Sequence, residues 1–144
     1  MKWWRQISNR FLIVKRGMDK NKLSIKINCP LEKVFEFTTT PPNSSLWIPG
    51  VVGEETSEWP IKVGTVYRLT DNLGNISNVA VNRLEKNKLV EWVSENKNYY
   101  CRYVFKKVAD QVSILEYFEW VTNGEIENPF DQKVLERLKT VLEK

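Results

Sequence analysis

The stretch YYCRYVFKKVADQVSILEYFEW, residues 99–120, reads as two strands joined by a turn. Tyr99, Cys101, Tyr103 and Phe105 alternate with Tyr100, Arg102, Val104 and Lys106, the period of two that a half-buried strand requires. Val-Ala-Asp-Gln at 108–111 then turns the chain into a last strand over 112–121. On that strand one face holds Val112, Ile114, Glu116, Phe118 and Trp120, and the other holds Ser113, Leu115, Tyr117 and Glu119. Both faces carry a carboxylate. One of Glu116 and Glu119 is therefore expected to turn towards the interior or its mouth, with a solvated place at the sheet edge preferred to full burial.

Downstream, the period changes. Asn128 suits a helix cap, Pro129 the first helical position and Asp131 the first turn. Phe130, Val134, Leu135, Leu138, Val141 and Leu142 form one apolar stripe, with Lys133, Glu136, Arg137 and Lys139 outside it. Upstream, Leu23, Ile25 and Ile27 alternate in a first strand over 22–28. Pro30 then opens a helix that shares Leu31, Val34 and Phe35 on one face and must end before Pro41-Pro42. Residues 43–48 are a short helical turn or an ordered loop. Strands are expected over 51–59, 65–70, 75–84 and 89–95, separated by turn chemistry at DNLGN and Lys86-Asn87-Lys88. The sum is an α+β chain in which an antiparallel sheet of about six to seven strands curves around a long C-terminal helix.

The formal net charge of +4 is localised. Residues 1–17 carry Lys2, Arg5, Arg10, Lys15 and Arg16 and no acid, which leaves the remainder at −1. Residues 1–17 are expected to be an N-terminal extension, with 18–144 as the compact domain. The apolar run at 11–14 is too short for a secretory signal, and no stretch approaches the length of a membrane span. A cytoplasmic protein without stable membrane insertion is the expectation. The slightly acidic body, whose strand aromatics lack interleaved basic residues, argues against nucleic acid.

There is no histidine and no CxxC. That excludes histidine-ligated metals, a Ser-His-Asp triad and a Cys-His pair. No carboxylates cluster as a metal site, and no cofactor is implied. Cys29 and Cys101 are expected to be reduced, buried thiols.

In order and spacing, INCPLEKVFEFTT, NSSLWIPGV, VGTVYRLT, the aromatic hairpin and the terminal helix together resemble the START-like (SRPBCC) superfamily of helix-grip fold. The resemblance is to its polyketide cyclase/dehydrase-like or lipid-transport-like branch. It rests on Pro30, Val34 and Phe35, on Trp47 and Pro49, and on Val63, Gly64 and Thr65, and spans about residues 22–143. Asp110-Gln111 stands where such proteins often carry Gly-Thr, so the geometry of that turn departs from the pattern. The resemblance implies a cavity between sheet and C-terminal helix that holds a small hydrophobic or amphipathic molecule; it implies no reaction.

Trp47, in a proline-punctuated loop, is then either a wall of that cavity or a plug of the core. Tyr67, Tyr99, Tyr103 and Tyr117 are the more telling candidates. A sealed core avoids phenols, because each unmade hydrogen bond costs about 1–3 kcal/mol. Trp92 and Trp120 read first as packing residues, with Trp92 also a candidate contact. Phe130, Val134 and Leu138 supply the helix side. Tyr100 and Arg102 are expected to face out.

Three functions compete: binding of a small apolar molecule, a cyclase- or dehydratase-type enzyme using a carboxylate and a tyrosine, and a protein-interaction domain of chaperone-activator type. A closed apolar cavity with tyrosine hydroxyls favours the first. Glu116 or Glu119 buried within reach of a tyrosine favours the second. A filled interior with exposed Trp59 favours the third.

Overall fold

The computed structural model describes residues 18–144. The expectation for residues 1–17 lies outside the described residues. Seven antiparallel strands form one sheet: β1 (Lys20–Ile27), β2 (Val51–Thr56), β3 (Val66–Asp71), β4 (Ile76–Glu85), β5 (Leu89–Ser94), β6 (Tyr99–Ala109) and β7 (Val112–Val121). Their spatial order is β1-β7-β6-β5-β4-β3-β2, so every neighbour except the β1–β7 pair is a sequence neighbour. Between β1 and β2 lie helix α1 (Leu31–Thr39) and a single 3-10 turn (Asn43–Leu46). Helix α2 (Gln132–Leu142) closes the chain.

The period of two fixes the faces of the central hairpin. Tyr103 pairs with Tyr117, Cys101 with Glu119 and Phe105 with Leu115 on the concave side. Tyr100 opposite Trp120 and Arg102 opposite Phe118 occupy the convex side. Leu115 and Tyr117 are fully buried, as are Leu135 and Leu138 of α2, so the concave face packs on the helix stripe as the pattern demands. Glu119 follows Tyr117 inward and is 2% exposed, against the expectation of a solvated carboxylate. Its burial is possible because three donors replace water around it, as described below. Glu116, on the outer face, pairs with Lys106 at 3.2 Å.

Several boundaries differ from the sequence reading. Asp131, not Asn128, caps α2: its side chain accepts from the Val134 amide at 3.2 Å. Asn128 has φ of 51°, outside helical space, and the Phe130 amide is bound to Glu119 on the sheet, so residues 128–130 belong to the approach rather than to the helix. Pro30 is the capping position of α1 rather than its first residue. β2 stops at Thr56 instead of reaching Trp59, because the chain bends through 57–60 and Pro60 has no amide to give a ladder. At the departing turn, Asp110 and Gln111 make the link while a bulge between Lys107 and Ala109 absorbs the mismatch. Cys29 is buried, Cys101 is half-buried, and both are free.

Candidate ligand cavity

A cavity of about 170 Å³ lies inside the curl of the sheet. It is reached from β3, β5, β6 and β7, whose inward positions bring Tyr67, Trp92, Tyr99, Tyr103 and Tyr117 to one space, with Phe130 closing it from the segment before α2. Trp47, Val134 and Leu138 are not in this lining; all three are buried in the core beside it. Trp47 is 0% exposed and packs against Tyr103 and Phe130, with ring centroids 6.1 and 6.0 Å away. It therefore braces two lining rings from behind. Trp120 lies on the other face of the sheet, stacked on Tyr100 at 5.1 Å.

Other lining residues were not among the candidates read from the sequence. Thr38 comes from α1, Ser44 and Ile48 from the turn and its exit, and Val51 and Glu54 from β2. Leu69, Val79 and Cys101 complete it. Ile48, Val51, Leu69, Val79, Tyr99, Cys101 and Phe130 are half-buried, whereas Tyr67, Trp92, Tyr103 and Tyr117 are buried.

The aromatic part of the lining is built of rings at steep angles. Trp92 meets Tyr67 at 5.4 Å and 86°, and Tyr103 at 4.9 Å and 70°, the edge-to-face arrangement that ring quadrupoles favour. Phe130 stacks on Tyr117 at 4.4 Å and 5°. The indole N–H groups of Trp47 and Trp92 are buried and have no hydrogen-bond partner among the described residues.

Two carboxylates stand at the cavity's ends. Behind the Tyr99–Tyr117 end, Glu119 Oε1 accepts from the Tyr99 hydroxyl at 2.7 Å, and Oε2 accepts from Asn21 Nδ2 at 2.9 Å and from the Phe130 amide at 2.8 Å. Asn21 Nδ2 also donates to the Phe130 carbonyl at 2.9 Å. Glu119 thus ties β1, β6 and the approach to α2 to β7. The Tyr99 and Tyr117 hydroxyls lie 3.4 Å apart. Burial pushes both phenols well above their ordinary range, as it does Tyr103 and the Cys101 thiol, so all four are neutral at physiological pH.

At the opposite end, Glu54 is half-buried and held by one residue. Its Oε1 accepts from the Ser44 amide at 3.1 Å and its Oε2 from the Ser44 hydroxyl at 2.6 Å. Burial raises its carboxyl above the usual range, and the two bonds from Ser44 partly oppose that rise. The neighbouring Tyr67 hydroxyl donates to the Thr39 carbonyl at 2.6 Å; burial raises this phenol, and the Glu54 charge adds to the shift.

No group of three or more potential metal ligands occurs among the described residues. No helix among them is long and apolar enough to cross a membrane.

No protein-family model matches this chain, and no curated protein sequence does either. Solved structures do. The chain is similar to XoxI from Bacillus cereus at 15% identity and a TM-score of 0.70, over 87% of this chain and 96% of that one. A START superfamily protein from Mycobacterium smegmatis matches at 12% identity and a TM-score of 0.67, over 86% and 97%. The Aha1 dimer from Colwellia psychrerythraea matches at 18% identity and a TM-score of 0.63, over 88% and 97%. The fold is START-like: a curved antiparallel sheet gripping a C-terminal helix.

Proposed function

We propose that this protein binds a small, mostly apolar molecule in the cavity of the curled sheet. One observation carries the reading: space is kept open where packing alone would close it. The cavity of about 170 Å³ is lined mainly by aromatic and aliphatic side chains with few polar groups, as small-molecule sites are. The hydroxyls of Tyr67, Tyr99 and Tyr117 already have partners within the protein, so the lining is held in place without a ligand. A ligand with an apolar body and one or two polar groups fits such a lining. Tyr67, Trp92, Tyr99, Tyr103, Tyr117 and Phe130 are its proposed contacts, with Trp47, Val134 and Leu138 in support.

The test is a titration of the full chain with toluene, followed by amide and aromatic chemical shifts. Saturable shifts centred on Trp92 and Tyr103 are expected. Val79→Phe, which places a ring in the cavity, should remove them while leaving the thermal midpoint unchanged or higher. Absence of saturable shifts in the wild-type chain would sink the reading.

Acid–base catalysis is the second reading, and the 2.7 Å contact between Glu119 and Tyr99 favours it. Against it, Glu119 already accepts from three donors and is withdrawn behind the tyrosines, where it braces structure. The interaction-domain reading has in its favour Trp59, which is 57% exposed, and the Aha1 likeness, which concerns fold alone.

A further inference from the structure

Within that binding reading, the charge balance of the cavity narrows the ligand. Its lining contains a carboxylate, Glu54, and no lysine or arginine. Elsewhere in the fold, carboxylates withdrawn from water come with cations or with donors from several elements: Glu91 has Arg102, Glu116 has Lys106, and Glu119 has donors from β1, β6 and the approach to α2. Glu54 has only Ser44, and no cation pairs with it among the described residues. Ser44 donates to both carboxylate oxygens, which fixes the group in place and leaves a lone pair on each oxygen unused.

The rings beside it suit a positive charge. Tyr67 and Tyr103 both feel the Glu54 charge, and Trp92 stands between them at 5.4 and 4.9 Å with its plane steeply inclined to each. Tyr67, Trp92 and Tyr103 line the same space as Glu54. A cation over an aromatic face is attracted by the ring quadrupole, more strongly when both are desolvated. A fixed carboxylate adds a charge-assisted hydrogen bond. A neutral ligand of the same shape gains neither.

We propose that the cavity selects a small organic cation, an aryl- or alkylamine of about eight heavy atoms. Its ammonium sits on Glu54, and its apolar body lies among Tyr67, Trp92 and Tyr103. The size follows from the volume, since a cavity of about 150 Å³ accepts benzene and this one measures about 170 Å³.

The experiment compares isosteres on the full chain at pH 7 by calorimetry: benzylamine, protonated there, against benzyl alcohol and toluene. Benzylamine should bind at least about tenfold more tightly than either, the ratio that about 1.4 kcal/mol gives. In Glu54→Gln, which keeps the shape and can still pair with Ser44, that preference should collapse towards unity. Equal or tighter binding of benzyl alcohol or toluene by the wild-type chain would overturn the cation proposal and leave the cavity reading standing. A preference for benzylamine that survives Glu54→Gln would overturn the role of Glu54. No binding of any of the three would overturn both. The wild-type comparison does not depend on the variant's folding.

Discussion

Glu91 and Glu54 point to opposite faces of one sheet, and their surroundings differ in kind. Glu91, on the convex face of β5, is 3% exposed and fully partnered. Arg102 approaches it through Nε and Nη2, each at 2.7 Å from Oε1, and Asn82 donates to Oε2 at 2.7 Å. The guanidinium in turn lies over Trp120 at 5.0 Å and Phe118 at 6.0 Å. Glu54, on the concave face, has Ser44 and an open space. The convex carboxylate is finished by the protein itself, while the concave one is left for something else to finish. A sheet can therefore hide charge for stability on one side and reserve it for recognition on the other.

Breaking the convex site should have the largest effect. Arg102→Met leaves Glu91 buried with Asn82 alone, and an uncompensated buried charge costs about 3–5 kcal/mol. Because Arg102 is itself 29% exposed, the lower end is expected, a fall of roughly 10 °C in thermal midpoint. Adding Glu91→Met should restore most of it. If Arg102→Met alone lowers the midpoint by less than about 2 °C, the contrast between the two faces is wrong.

Next comes Glu119, which resembles Glu91 in being satisfied but lies on the concave side. Glu119→Gln replaces one acceptor oxygen by a donor that faces Asn21, Tyr99 or the Phe130 amide. The expected cost is about 2 kcal/mol. If the loss is local, the Phe130 amide should exchange with solvent roughly thirtyfold faster. Unchanged exchange at Phe130 would show that Glu119 does not hold the approach to α2.

How much of this contrast could be read from the sequence depends on whether a residue's face follows from its own strand. Along β6 it does: the period of two puts Tyr99 and Tyr103 on one face and Tyr100 and Arg102 on the other, as in the structure. For Glu116 and Glu119 the two faces were matched in apolar content, and partners on β1 and before α2 decide between them. Glu54 was hidden by geometry. Uninterrupted alternation through VVGEET would put Val51, Gly53 and Glu55 together, but a bulge between Val51 and Gly53 resets the face, so Val51 and Glu54 both reach the cavity. Glu91 alternates plainly with Val90 and Trp92; its burial comes from Arg102 and Asn82 on neighbouring strands, which no single strand encodes. The start of α2 misled because Asn128-Pro129 is a strong local start signal, overridden by the tie between Phe130 and Glu119.

The concave carboxylate should itself show in the pH dependence. Its folded-state value is raised by burial, so the folded chain binds this proton more tightly than the unfolded chain, in which the value is about 4.3. Stability is therefore lost as pH rises from about 4.3 through the folded value. Glu54→Gln removes that loss, and the variant's advantage over the wild type should widen as pH rises above the unfolded-state value of about 4.3. Solvent screening at a half-exposed site keeps the effect below about 1 kcal/mol. The groups facing Glu54 are Ser44, Tyr67 and Tyr103, and the two raised phenols do not titrate in this window. An advantage that narrows as pH rises would contradict the assignment.

The smallest effect sharpens the comparison from within the convex face. Glu116 sits two residues from Phe118 and pairs with Lys106 at 3.2 Å, a single contact, longer than the two at 2.7 Å between Arg102 and Glu91. Water differs as well: Glu116 is 19% exposed and Lys106 is 58% exposed, against 3% and 29% for Glu91 and Arg102. Lys106→Met should therefore cost only about 0.5 kcal/mol, and raising the salt concentration should shrink that further. The loss from Arg102→Met should barely respond to salt, because its charge pair is shielded from ions. If the two variants cost the same, burial is not what distinguishes these ion pairs, and the reading of Glu54 as a carboxylate reserved for a partner loses its physical basis.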